Sequence, residues 1–210
     1  MDDKLTGRNK FDIGLEALLN VIPYVGGSLA TVIFGPRNEK RMKRLESFFL
    51  ELSEEIRSKG IMFPEILEQN KDALAAIIEE LAEKIQREHS EEKRGYYKKF
   101  FINALSSSEV NYDRSMNFMR ILSDITFIEV QLLKNLYSRK GQVTHLRDIR
   151  VLPESDFEQL SALYHLQQLG FIQSGFGTQG FNMMSDRPPI ASNEIILSDY
   201  GNSFVDYVLK

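Results

Sequence analysis

The apolar residues Met42, Leu45, Phe49, Leu52 and Ile56 fall three and four apart, an interval that gathers them on one face of an α-helix. Lys43, Arg44, Glu46 and Glu51 stand between them and stay in water. The same interval returns at Leu74, Ile78, Leu81 and Ile85, at Tyr97, Phe101, Ala104 and Leu105, and at Met116, Met119 and Leu122. Helices with one apolar seam each must bury it against one another, so residues 1–121 are expected to form a helical bundle. Lys59 and Gly60 mark the end of one helix and Pro64 the start of the next. Gly95 marks a kink or a break in the third.

The chain has 210 residues, enough for one large domain or two small ones. It has no cysteine, which rules out disulfides, thiolate metal sites and a cysteine nucleophile and suits a reducing cytosol. The histidines, His89, His145 and His165, fall in three different elements without i, i+4 pairing. They are expected at the surface or at boundaries rather than as metal ligands. The first twelve residues lack the cationic start and cleavage pattern of a secretory signal, so a cytoplasmic location is expected.

Residues 13–34 are mostly apolar but carry Glu16, Asn20, Pro23, Gly26 and Gly27. Pro and Gly in the middle predict two short helices meeting at a turn, not one membrane span. Behind this hairpin stand Arg37, Lys40, Arg41, Lys43 and Arg44. An apolar hairpin backed by cations has the chemistry to sit peripherally on an anionic membrane, and these five are the candidate membrane contacts. The preferred reading buries the hairpin in the bundle, because the same cations begin the first helix described above.

Residues 122–210 have a different rhythm. Thr126 and Glu129 have capping-box spacing ahead of a helix bearing Val130, Leu133, Leu136 and Tyr137, which Gly141 stops. Thr144 is expected to cap a short helix through Ile149. Pro153, Ser155 and Glu158 start a longer helix bearing Phe157, Leu160, Leu163, Tyr164 and Leu166, which Gly170 ends. Phe171, Ile172 and Gln173 form one strand and residues 195–197 a second. Ser198 then caps a last helix with Phe204 and Val208 inward.

The segments LYHLQQLGFIQ and IILSDYGNSFVDYV resemble the end of many bacterial winged-helix domains. The fold class expected is mainly α, an N-terminal helical bundle followed by a C-terminal winged helix, a helix-turn-helix variant, with a small two-stranded β-wing. As a whole, the bundle with PYVGG near its start, the middle SEEKRGYYKKFFINAL and this tail are similar to bacterial and phage-borne bundle plus winged-helix proteins. Some of those are encoded near antiphage systems. The hairpin and basic helix also resemble the membrane-targeting helical domains of HeLo type.

The resemblance implies a recognition helix that reads DNA with help from Arg or Lys, and here the chain departs from the pattern. Its long helix carries Asp156 and Glu158 near the start and no cation. The candidates for a DNA reader are Gln159 and Gln167 on the helix, with Arg147, Arg150 and Arg187 outside it. Charge gives them no support: residues 1–121 have 19 Lys and Arg against 20 Asp and Glu, and the rest have 7 against 10. A winged helix used to bind protein or to dimerise is the first reading, with Tyr164, Phe176, Phe181, Met183 and Met184 as candidate contacts. It implies an adaptor or regulatory role, with bacterial stress or phage defence as the setting. A DNA-binding regulator is the second reading and a membrane-active effector the third.

Three patterns suggest chemistry without supplying it. Gly175, Gly177 and Gly180 spell GxGxxG, but FNMMSDRPP after them cannot start the helix that would hold a pyrophosphate. Ser90 and Lys93 match SxxK without its companion motifs. Glu79, Glu80 and Glu83 lack the Glu-x-x-His pairs of a carboxylate metal site. Lys93, Arg94, Tyr96, Lys98 and Lys99 read as a solvated helix face rather than a single-strand platform. No nucleophile, base and oxyanion donor occur together, so binding without turnover, cofactor or metal is expected.

Overall fold

A computed structural model of the chain describes residues 39–60, 71–106, 111–139, 142–145, 148–149, 156–174 and 194–210. They are mainly helical, with a small three-stranded antiparallel sheet. The chain divides into two compact units, Met1–Ser123 and Asp124–Lys210.

Among the described residues of the first unit the helices are α1 (Glu39–Ser58), α2 (Lys71–Arg87), α3 (Glu91–Ser106) and α4 (Tyr112–Asp124). Most of the seam positions are inward: Leu45, Phe49, Leu52 and Ile56 of α1, Leu74, Ile78, Leu81 and Ile85 of α2, and Met119 and Leu122 of α4 are buried, whereas Met116 is half-buried and the side chain of Met42 lies outside what is described. α1 packs against both α2 and α3. Gly60, with φ of +59°, ends the turn after α1, a left-handed conformation that glycine adopts without a Cβ penalty. The start marked by Pro64 and the apolar segment 13–34 lie outside the described residues.

Helix α3 departs from the sequence reading twice. It runs unbroken through Gly95, where Tyr96 and Tyr97 that follow are buried and their burial outweighs the local propensity. It also buries Tyr96, Phe100 and Ile102 beside Tyr97, Phe101, Ala104 and Leu105, more than one seam accounts for. Three of its cations are turned to protein acceptors. Lys93 Nζ donates to Ser123 O at 3.1 Å, Arg94 donates to Glu88 O and His89 O at 3.2 Å each, and Lys98 pairs with Glu51 of α1 at 2.7 Å. The Ser90 hydroxyl accepts from Lys93 N at 3.2 Å, so the SxxK spacing serves as a helix cap.

The second unit contains α5 (Phe127–Ser138), β1 (Thr144–His145), α6 (Asp156–Gln168), β2 (Ile172–Ser174), β3 (Glu194–Leu197) and α7 (Asp199–Phe204). A π-helical stretch, Val205–Leu209, continues α7. The sheet order is β1-β3-β2, with Thr144 opposite Ile195 and Ile172 opposite Leu197. The structure differs from the sequence pattern at two points. Thr144 does not cap a helix, since it and His145 are extended and pair with β3, and the sheet has three strands instead of two. The second edge of β3 takes up backbone groups of this segment, a long-range ladder that local capping chemistry does not reveal.

α5 and α6 pack together, α5 also meets β3 and the π-helical stretch, and α6 meets β2. Val130, Leu133, Leu163, Leu166, Phe171, Ile195, Phe204 and Val208 are buried, and the Phe171 and Phe204 rings stack with centroids 4.6 Å apart. Ser198 caps α7: its hydroxyl accepts from Gly201 N at 3.0 Å and donates to Gly170 O at 2.6 Å. A Cβ at Gly201 would overlap the carbonyl oxygen of Phe171 and lie 2.8 Å from Leu197 Cδ1. The SDYG segment therefore needs both its serine and its glycine to close α7 onto β2 and β3.

Candidate functional site

The helix α6 carries the residues on which the functional readings differ. Its C-terminus is fixed by a Schellman arrangement, in which Phe171 N donates to Leu166 O at 3.0 Å and Gly170 N to Gln167 O at 2.9 Å. Gly170 makes this turn with φ of +76°. Ala162, Leu163 and Leu166 face inward and are buried. The outward positions then follow by helical spacing: Phe157, Ser161, Tyr164 and Gln168 are four, three and four residues apart, on one stripe about 16 Å long.

That stripe carries no charge. Phe157, expected among the inward apolar residues, is 83% exposed instead, while Ser161 and Gln168 are exposed and Tyr164 is half-buried. Glu158 beside it is exposed and adds negative charge.

Two polar side chains of α6 are turned to protein partners. Gln159, a candidate base reader, donates from Nε2 to Ile149 O. His165 Nδ1 lies 2.5 Å from Glu129 Oε1 of α5. The Glu129 side chain is only 3% exposed, against 41% for His165, so the histidine bridges from a buried carboxylate to the surface. Glu129 Oε2 accepts from Thr126 N at 2.5 Å and from Thr126 Oγ1 at 2.8 Å, and Thr126 Oγ1 accepts from Glu129 N at 3.3 Å. One carboxylate therefore completes the capping box of α5 and holds α6. A buried carboxylate needs such donors to offset its lost hydration.

Gln167 is half-buried on α6. Phe176, Phe181, Met183 and Met184, and Arg147, Arg150 and Arg187, lie outside the described residues. So does Arg37. Lys40, Arg41 and Lys43 are exposed at the start of α1. Arg44 is directed at the end of α2, donating to Gln86 O at 2.5 Å and lying 3.1 Å from His89 Nδ1. Its guanidinium meets the Gln86 carbonyl at the negative end of the α2 dipole. Glu80 and Glu83 pair with Lys84 and Arg87 along α2.

Among the described residues no helix is long and apolar enough to cross a membrane, and no group of three or more His, Asp or Glu is placed to hold a metal ion. The sequence reading missed two features of the site. The only signal for the contact between Glu129 and His165 was the capping-box glutamate, whose second partner is 36 residues away. The exposure of Phe157 left no mark, since an aromatic at helical spacing reads as core. Comparison with protein-family models, curated proteins and solved structures gives no match.

Proposed function

We propose that residues 124–210 form a winged helix that binds another polypeptide, a different protein or a second copy, through the outward face of α6. The chain then works as a non-enzymatic adaptor or regulatory protein, in the bacterial stress or phage-defence setting that its resemblance implies. The observation that carries this reading is the uncharged stripe of α6, with Phe157 83% exposed at one end. Exposed aromatics are the usual anchors of protein interfaces, whereas a groove-reading helix needs cations or neutral donors aimed at phosphates and base edges. Gln159 and His165 of α6 are instead directed to Ile149 and Glu129.

The arrangement of the second unit supports the winged-helix part of the proposal. A helix, a short strand, the α6 helix and a pair of antiparallel strands follow in order, and β3 pairs with both β1 and β2. Pairing on both sides ties the β2–β3 pair to the segment that follows α5, as a wing requires.

The test compares the full chain with Phe157→Asp by light scattering across a concentration series and by affinity capture from the native host. Self-association or a captured polypeptide that the substitution abolishes is the expected result. Retention of duplex DNA at physiological salt by both proteins, without a polypeptide partner, overturns the proposal in favour of a DNA reader. Sedimentation with anionic vesicles that is lost when residues 13–34 are deleted would support the membrane reading.

A further inference from the structure

We draw no further inference here: the strongest candidate, the outward face of α6 around Phe157 and Tyr164, belongs to the site already described, and nothing in the structure shows what covers it.

Discussion

Two glycines in helices make opposite demands. Gly95 sits inside α3, and a Cβ there would meet nothing within 4 Å. Alanine at this position lowers the entropy lost on folding, so Gly95→Ala is expected to stabilise the chain by about 0.5–1 kcal/mol. Urea unfolding reads this as a higher midpoint with unchanged slope. Gly201 has no such room, because a Cβ would collide with the Phe171 carbonyl, a backbone atom that cannot swing away. Gly201→Ala is expected to shift that midpoint down, through the overpacking penalty of about 1–3 kcal/mol or more. His165 gives a third case. Replacing it with alanine removes the imidazole partner of Glu129 Oε1 and leaves a buried polar oxygen without it, at a cost of about 1–3 kcal/mol. An unchanged midpoint for His165→Ala would show that the contact does not hold α6 on α5.

At the scale of elements, the amphipathic seams of α1, α2 and α4 were legible because three-four spacing alone determines which residues face a neighbour. The caps of α5 and α7 were legible for a similar reason: Thr126 with Glu129, and Ser198, act within one turn. β1 was not, since two residues at Thr144 acquire strand character only through Ile195, far along the chain. Nor was the outward turn of Phe157, which depends on the direction in which α5 and β2 hold α6.

The ion pair between Glu51 of α1 and Lys98 of α3 makes the packing of these helices depend on pH. Burial opposes ionisation of Glu51, but the Lys98 ammonium and the Ser47 hydroxyl outweigh it and hold the carboxyl below its usual range. The pair therefore adds stability above the pKa of the unfolded chain, and this is lost as the pH falls through the lower folded value. Both groups reach solvent, so the amount is about 0.2–1 kcal/mol. Lys98→Met is expected to lower stability by that amount at pH 7. Below the carboxylate range the two proteins should unfold at more nearly equal urea concentration.

For the whole molecule, net charge of −4 and an excess of acids over cations after residue 121 weaken long-range attraction to nucleic acid. The proposed role rests on one exposed aromatic and on polar side chains bound within their own unit. Phe157→Asp changes an 83% exposed residue, so it is expected to leave stability within about 0.5 kcal/mol while removing the anchor. The most direct measurement replaces Phe157 with a photo-crosslinking analogue in native cells and identifies what becomes attached. A nuclease-resistant, protease-sensitive adduct with a polypeptide, whether another protein or a second copy, is expected. A nuclease-sensitive adduct, or none, would contradict it.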